Sequence, residues 1–437
     1  MVSGSRIAVC GFTLFGAACG GFEPPPTTGG VSVTAGRFGR GHALVMSDYQ
    51  STNVALLDCE GHTLSPAFVS SAAATPGLSA PLSGDVVLPG ESQLEAELAL
   101  IDRYPAAVVT LVDIVTGSVS AQLDVSTGFR SNPQDLVHVG DELWVSRYET
   151  NAKPGKLPFD AGGDILVLDR RAQAIIDRID LASAVADAPG FLPRPGKMAR
   201  TDNRLYVLLA AYDASFQSAA ASRIVQIDLE TRQIVATHVL SGLSGCSALT
   251  LEPRFDAAGD ERPMRRLLGG CSGAFQGSST PTLKDSGLVM LATDPAGPQE
   301  LRRWTPAELG DRPVGFDLTI DEGGRALVTT MGHLGDGVSS DLPDALVEVR
   351  LDAPTTRVVF TTDSRSFELG GVRCTTMLTH TESPVASDEL VPRDCFAADG
   401  ERGVLRRLVR GTAGYEVAES LVVEAAIGLP PRWLGRF

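Results

Sequence analysis

Residues 98–148 contain the pattern on which the whole chain is built: LALIDRY (98–104), VVTLVDIVTG (108–117), SVSAQLDV (118–125), NPQDLVHV (132–139) and ELWVSRY (142–148). The five segments are short, rich in Val, Ile, Leu and Tyr, and separated by turn formers such as Thr116-Gly117. Segments of this length and composition predict β-strands joined by tight turns. Because alternate side chains of a strand point to opposite faces, both faces of these strands offer apolar groups.

One position of this pattern recurs along the chain. An Asp closes an apolar segment six times, at intervals of 55 to 66 residues: Asp58, Asp113, Asp169, Asp228, Asp294 and Asp352. A seventh copy, without the Asp, lies at residues 403–411. A carboxylate at a strand end suits a turn because it accepts hydrogen bonds from the backbone N–H groups that follow. Copies of a unit that cannot bury its own faces predict a repeat architecture.

The repeat resembles the YVTN-type β-propeller repeat of bacterial extracytoplasmic proteins. The resemblance rests on LWVSRY (143–148) and on TLVDIVTG (110–117) with their counterparts in other copies, and it covers residues 40–437. It implies an all-β fold, a seven-bladed β-propeller of four-stranded antiparallel blades. It also implies the order of the strands in each blade, from a at the centre of the ring to d at its rim.

The order of the strands predicts how the ring closes. Seven innermost strands are predicted, at residues 85–88, 135–139, 197–200, 247–251, 314–320, 372–378 and 432–437. The last of them has no b strand after it, and the first b strand, at 42–46, has no a strand before it. We therefore predict that the C-terminal inner strand pairs with the N-terminal blade, which hides edges that would otherwise aggregate.

The N-terminal residues have the composition of an export signal. Arg6 precedes the apolar segment IAVCGFTLFGAA, and small residues lead to Cys19. GAAC resembles the lipobox of bacterial lipoproteins, which implies that Cys19 becomes the lipidated first residue; ordinary cleavage without lipid is the alternative. We predict a signal peptide at 1–18, a flexible Gly/Pro/Thr tether at 19–35 and one propeller domain at 36–437.

The same resemblance implies a cellular location. Gly20, rather than Asp, follows Cys19, and in lipoproteins this favours the outer membrane. We therefore predict a lipoprotein of the bacterial outer membrane, facing the periplasm or the cell surface. Acyl chains on Cys19 would hold the protein at the membrane.

Five cysteines remain after such processing. With the strand order implied by the resemblance, Cys246 and Cys271 lie opposite each other across one inner hairpin, and Cys374 and Cys395 have the same relation in another blade. Cβ atoms of directly opposed strand residues approach bonding distance, so we predict the disulfides Cys246–Cys271 and Cys374–Cys395. The alternative is five buried thiols. Cys59 has no partner and is either buried or reactive.

Composition limits the partners. The formal net charge is −16 and the chain has four lysines, without a basic stripe. Such a surface repels a phosphate backbone, so nucleic acid is excluded as a partner. No stretch of 18 apolar residues occurs after residue 20, so no transmembrane helix is expected. We expect a monomer.

A binding site is predicted at one mouth of the central channel. In a propeller with this strand order, the d–a and b–c connections share one face, and connections on a rigid scaffold usually carry binding. The ends of the b strands and the SNPQD turn would reach the mouth there: Asp48, Tyr49, Asp102, Arg103, Tyr104, Asn132, Asp135, Arg147 and Tyr148. These groups could bind a carboxylate or a sugar. Alternatively, Asp and Arg of neighbouring blades pair and hold the ring together.

No catalytic or metal-binding pattern accompanies this mouth. The six histidines lack metal-ligand spacing, and no nucleophile motif is present, so neither a metal nor a cofactor is predicted. We favour a lipid-anchored envelope module that binds or scaffolds an envelope protein or a small polar ligand. The alternatives are a lactonase-like or quinoprotein-like propeller enzyme using the channel mouth, which rests on fold analogy, and a purely structural envelope protein.

Overall fold

The computed structural model describes residues 29–274, 283–332, 342–378 and 394–437. The predicted signal peptide and Cys19 lie outside these ranges. Nearly all regular structure in the described residues is β, with 28 strands and three short 3₁₀ helices: Ala182–Val185, Leu283–Asp285 and Pro306–Leu309. Within the same ranges, no helix has the length and apolar character that crossing a bilayer requires.

The strands form seven four-stranded antiparallel sheets. Blade one contains β1 (His42–Ser47), β2 (Thr52–Leu57) and β3 (Thr63–Ser70). Blade two contains β4 (Val86–Val87), β5 (Glu97–Asp102), β6 (Val108–Asp113) and β7 (Val119–Asp124). Blade three contains β8 (Pro133–Val139), β9 (Glu142–Thr150), β10 (Gly162–Asp169) and β11 (Ala174–Asp180). Blade four contains β12 (Pro195–Arg200), β13 (Arg204–Leu209), β14 (Arg223–Asp228) and β15 (Ile234–Val239).

The remaining blades follow the same plan. Blade five contains β16 (Cys246–Leu251), β17 (Arg266–Ser272), β18 (Ser286–Ala292) and β19 (Gln299–Trp304). Blade six contains β20 (Val314–Ile320), β21 (Arg325–Thr330), β22 (Ala345–Arg350) and β23 (Thr356–Thr361). Blade seven contains β24 (Leu369–Cys374), β25 (Cys395–Asp399), β26 (Val404–Arg410) and β27 (Tyr415–Leu421).

The ring closes as the sequence predicts. The last strand, β28 (Pro431–Arg436), pairs antiparallel with β1, placing Leu434 opposite Leu44 and Trp433 opposite Val45. Blade one therefore has the strand order β28-β1-β2-β3. The all-β, seven-bladed propeller is confirmed, and the predicted inner strand at 314–320 coincides with β20.

Both faces of each inner blade are buried, which explains the apolar character of the repeat. In β5, Leu98 and Leu100 pack toward blade one, whereas Ala99 and Ile101 pack toward blade three. Among the described residues, seven clusters of this kind fill the spaces between neighbouring blades. A blade thus buries its apolar side chains only against two neighbours.

The recurring Asp has the predicted role in the turn before the outermost strand. Asp113 Oδ1 accepts a hydrogen bond from the backbone N–H of Thr116 at 2.7 Å. Asp228 Oδ1 accepts one from Thr231 at 2.9 Å. These bonds satisfy backbone donors at the turn, so one side chain fixes where each third strand ends.

Both predicted disulfides are present. Cys246 is bonded to Cys271 and Cys374 to Cys395. Each pair joins the innermost strand of a blade to the strand beside it, in blade five and in blade seven. Cys59 is a half-buried free cysteine in the turn between β2 and β3.

Part of the segment predicted as a tether lies against the ring. Val31 is buried in the cluster between blades one and two, and its backbone N–H donates to the carbonyl of Ile114 at 2.8 Å. The Arg40 guanidinium donates to the carbonyl of Val33 at 3.2 Å. Contact with the propeller therefore extends N-terminal of residue 36, and the domain boundary itself stays a prediction.

A buried histidine lies at the seam between blades one and seven. His42 in β1 is 1% exposed, and its Nε2 lies 3.0 Å from Thr375 Oγ1. Desolvation, helped by the charges of Arg436 and Arg373, lowers the pKa of His42 to about 3. The imidazole is therefore neutral in the folded protein at any pH near neutrality.

The closing strand gives a first prediction. Leu434 packs against Leu44, Met46 and Phe396, so we expect Leu434→Ala to lower the free energy of unfolding by about 2–5 kcal/mol. Val235→Ala, at a position 46% exposed on β15, is the matched control with an expected loss below about 0.5 kcal/mol. Urea unfolding measures both variants, and equal losses would contradict a closing role for β28.

The buried histidine gives a second prediction. Its folded pKa is below its unfolded value, so the unfolded state binds the extra proton and stability is lost as pH falls below about 6.5. We expect His42→Gln to reduce the difference in unfolding free energy between about pH 6.5 and pH 5, by about 1 kcal/mol or more. His62→Gln, at an exposed histidine, is the control. An unchanged pH dependence in His42→Gln would contradict the assignment.

Candidate functional site

A cavity of about 410 Å³ opens at the channel mouth on the face that carries the d–a and b–c connections. Its walls come from strand ends and loops of blades one to six. Five aromatic side chains line it: Tyr148, Tyr212, Phe216, Phe316 and Trp433. The cavity therefore combines aromatic surface with polar groups from several blades, as small-molecule sites commonly do.

Four of the predicted site residues lie at this mouth. Arg103, Asn132 and Tyr148 line the cavity itself. Tyr49 is 57% exposed and lines a smaller adjoining cavity of about 120 Å³, which shares Phe316 with the first. The structure thus brings these four side chains together from three blades.

Two predicted residues lie on the surface near the mouth. The carboxylate of Asp48 accepts hydrogen bonds from the backbone N–H groups of Gln50 and Ser51 at 2.9 and 2.7 Å. The hydroxyl of Tyr104 accepts a hydrogen bond from the Arg130 guanidinium, which also lies over the tyrosine ring at 5.1 Å. Neither side chain lines the larger cavity.

Asp102 and Asp135 are buried within the scaffold. Asp102 accepts hydrogen bonds from the backbone N–H and the hydroxyl of Ser83 at 2.7 and 2.5 Å. Asp135 accepts bonds from the backbone N–H of Gly90 in blade two and of Met198 in blade four, both at 2.8 Å. Asp135 therefore connects three consecutive blades around the channel.

Arg147 is also buried within the scaffold. It makes a bidentate ion pair with Asp164, with Nε to Oδ1 at 2.8 Å and Nη2 to Oδ2 at 2.7 Å. The two side chains lie on β9 and β10, so this pair acts within blade three rather than between neighbouring blades. Pairing between blades occurs elsewhere, where the Arg373 guanidinium of blade seven contacts Asp317 of blade six at 2.7 Å.

The two cationic groups of the cavity already have partners. The Arg103 guanidinium donates to the carboxylate of Asp85 and to Gln134 Oε1. Lys197 Nζ donates to the carbonyl of Leu88 at 3.3 Å and lies 3.8 Å from Asp135 Oδ1. Desolvation lowers the pKa of Lys197, and the charge of Asp135 opposes this shift.

The aromatic side chains form two platforms. Tyr148 and Phe216 stack with ring centroids 6.2 Å apart, and the Arg194 guanidinium lies 4.0 Å above the Phe216 ring. The second platform is the Trp433 ring, and the Arg103 guanidinium lies 5.7 Å from its centroid. Burial raises the pKa of Tyr148, so its hydroxyl stays protonated and can donate a hydrogen bond.

Sequence reasoning missed most of the other residues that line the cavity, among them Lys197, Tyr212, Phe216, Phe316 and Trp433. Tyr212 was detectable, because it ends the segment LYVLLAAY (205–212) as Tyr148 ends LWVSRY (143–148) in the preceding blade, two residues farther from the shared Leu-x-Val. Trp433 required knowledge of the closed ring, since it enters the mouth from the last strand of the chain.

One group of potential metal ligands lies away from the cavity. Within the described ranges, Asp58, Glu60 and His62 each place a ligand atom within 4.8 Å of the others. Asp58 Oδ1 accepts the backbone N–H groups of Glu60 and His62, and Oδ2 lies 2.9 Å from the His62 ring. The carboxylate serves the turn between β2 and β3, and we assign no metal to it.

Comparison with known proteins supports the fold. No protein-family model matches the sequence, and neither does any curated protein. A solved structure from Lactobacillus plantarum is similar over 90% of this chain and 98% of its own, at 11% identity and a TM-score of 0.51. A candidate 6-phosphogluconolactonase from Bacteroides fragilis matches over 90% and 96% at 11% identity and a TM-score of 0.49.

A third solved structure is also similar to this chain. Citrobacter koseri AztD matches 90% of this chain and 96% of its own, at 14% identity and a TM-score of 0.43. At such identities the likeness concerns the fold alone. The seven-bladed propeller is confirmed, whereas membership of the YVTN-type family stays a prediction.

The buried pair in blade three gives a third prediction. Arg147→Met removes the bidentate partner of the buried Asp164 carboxylate and leaves it only Arg178 Nε at 3.0 Å, so we expect the free energy of unfolding to fall by about 2–4 kcal/mol. Tyr104→Ala, at an exposed position near the same mouth, should cost less than about 1 kcal/mol. Denaturant unfolding measures both losses. A stable Arg147→Met variant would show that this arginine is not part of the scaffold.

Proposed function

We propose that this protein is an exported binding module whose channel mouth takes a small neutral saccharide. The observation that carries the proposal is a cavity lined by exposed aromatic rings and uncharged polar groups, in which the charged groups are paired. A sugar ring presents an apolar C–H face together with hydroxyl groups, and this cavity offers partners to both.

The aromatic residues of the cavity support the proposal because their rings are accessible to a ligand. Phe216 and Phe316 are each 39% exposed, so both rings present accessible surface at the mouth. Trp433 contributes the ring with the largest area in the cavity. Rings in this arrangement bury large area on contact with an apolar face, at low cost in side-chain entropy.

The uncharged polar residues of the cavity support the proposal because they can form hydrogen bonds with the hydroxyl groups of a sugar. Gln134 Nε2 donates to Asn132 Oδ1 at 2.8 Å, which leaves the amide N–H groups of Asn132 as donors for a ligand. Ser247 adds a hydroxyl group that has no hydrogen-bond partner among the described residues. A carboxylate ligand is the less favoured alternative, because Arg103 is already engaged by Asp85 and Gln134. Binding an acid there would require the acid to replace that partner.

A catalytic role at this mouth has less support. Within the described part of the cavity, the Ser272 hydroxyl donates to the backbone carbonyl of Gly245 at 2.9 Å. A serine nucleophile would instead face a general base such as a histidine or a carboxylate. The lactonase-like and quinoprotein-like alternatives therefore rest on fold analogy alone.

The location of this module is part of the proposal. Acyl chains on Cys19 would attach the protein to the outer membrane, with the tether between lipid and ring. The two disulfides favour an oxidising compartment, because such bonds do not persist in a reducing cytosol. Mass spectrometry of the protein from its native membrane tests the lipid on Cys19.

Trp433 provides the test of saccharide binding, because Trp144 and Trp304 are fully buried. We expect neutral disaccharides to change the emission of Trp433, and sugar acids of matched size to bind more weakly. Phe316→Ala should weaken binding by about 2- to 10-fold. Val115→Ala, an exposed position in the turn between β6 and β7, is the control. Tighter binding of the acids, or an unaffected Phe316→Ala variant, would contradict the proposal.

A further inference from the structure

A second cavity lies at the opposite mouth of the channel, where the innermost strands end. Its volume is about 240 Å³, and it is lined by the ends of β12, β16, β20, β24 and β28 and by the segment after β4. Five arginines line it: Arg200, Arg254, Arg265, Arg373 and Arg436. Glu91 is the one carboxylate residue among its described lining residues.

This concentration of positive charge contrasts with the rest of the molecule. The chain as a whole has a formal net charge of −16. A cleft that gathers cations between low-dielectric walls focuses a positive potential, and it does so against the acidic background. The five arginines come from four blades, and their charges at one mouth require acidic partners or a ligand.

Two of the five arginines have close acidic partners. Arg254 Nη2 lies 2.8 Å from Glu261 Oε1. Arg373 Nη1 lies 2.7 Å from Asp317 Oδ2, which also accepts the backbone N–H of Val372. Among the described residues, Arg200, Arg265 and Arg436 have no carboxylate at so short a distance.

Arg265 and Arg436 bond only to neutral oxygens among the described residues. Arg265 Nε donates to the backbone carbonyl of Glu252 at 2.6 Å. Arg436, which is 5% exposed, donates to Thr376 Oγ1 at 2.5 Å and to the carbonyl of Phe38 at 2.6 Å. Glu91 acts on Arg265, and Glu322 on Arg436, through electrostatics without a direct ion pair. Such longer-range charges offset the desolvation of a guanidinium less than a direct pair does.

Desolvation acts on both of these arginines and on the single carboxylate. It lowers the pKa of Arg265 and of Arg436 to about 10. Glu91 Oε2 lies 3.5 Å from Arg200 Nε, and desolvation still raises the pKa of Glu91 to about 7, with Asp135 adding to the shift. Near neutral pH, Glu91 therefore supplies only part of a negative charge to this mouth.

We propose that this arginine mouth binds a small multivalent oxyanion, one that carries phosphate or carboxylate oxygens on at least two sides. Guanidinium groups match such oxygens with parallel hydrogen bonds, and their arrangement around the cavity favours a compact ligand over an extended polymer. The site lies at the opposite end of the channel from the proposed saccharide site and does not rest on that proposal.

Isothermal titration calorimetry of the full chain tests this inference with inorganic phosphate, pyrophosphate and citrate. We expect at least one multivalent anion to bind with one-to-one stoichiometry. Arg265→Gln should weaken its binding by about 10-fold or more, as the loss of a charged hydrogen-bonding group does. Arg200→Gln is a second variant that removes a different side of the site. Arg171→Gln, at a side chain that is 78% exposed on blade three, is the matched control and should bind normally.

Glu91 supplies an independent readout. We expect the affinity for citrate to fall between about pH 6 and pH 8, because ionised Glu91 then competes for Arg200 and repels the ligand. The charge of citrate does not fall over this range, so the ligand itself cannot cause the loss. Arg200, Arg265 and Asp135 face Glu91, and Glu91→Gln should bind citrate with little dependence on pH.

Three results would overturn the inference. One is the absence of binding for all three anions. Another is equal weakening by Arg171→Gln and by both mouth variants, which would indicate a general charge effect. The third is equal competition by sodium chloride at matched ionic strength, which would reveal screening without a site. Melting temperatures of the unliganded variants show whether each one is folded.

Discussion

The pairing of β28 with β1 is the contact on which the rest of the molecule depends. Every blade buries apolar side chains on both faces, so no blade is stable without two neighbours. Backbone hydrogen bonds between the last strand and the first provide blade one with its innermost strand. Around this seam lie the neutral His42, the buried Arg436 and the apolar contact of Leu434 with Leu44. The pairing of β28 with β1 therefore both closes the ring and positions the residues that line the channel.

The two mouths of the channel use the same repeat for different chemistry. At the mouth formed by the d–a and b–c connections, charges such as Arg103 and Asp85 neutralise each other, and aromatic rings remain accessible. At the other mouth the described lining of the cavity holds five arginines and one carboxylate residue, and Arg436 donates hydrogen bonds only to neutral acceptors among the described residues. The two ends of the same inner strands thus lie in two different electrostatic environments.

Much of the fold could be predicted because the strands of each repeat can be recognised from its own local sequence. Alternating apolar residues and the turn-closing Asp mark strands locally, and the strand order placed Cys246 opposite Cys271. The site was less predictable because neighbouring residues on a strand point in opposite directions. Arg147 and Tyr148 are adjacent in the sequence, yet one is buried in an ion pair and the other lines the cavity. Trp433 and Phe316 line the same cavity as Tyr148 only after the ring closes. Local sequence patterns carry no information about that closure.

The position of β28 in the chain sets the order in which the protein can assemble. Six blades have all their strands in an unbroken stretch of sequence, whereas blade one waits for a strand that follows every other. A growing polypeptide therefore carries the exposed edge of β1 until the final strand is synthesised, and exposed edges invite wrong pairing. A polypeptide that stopped after β27 would lack the strand that completes blade one. Co-translational folding of this propeller therefore reaches a closed ring only once residues 431–436 have been made.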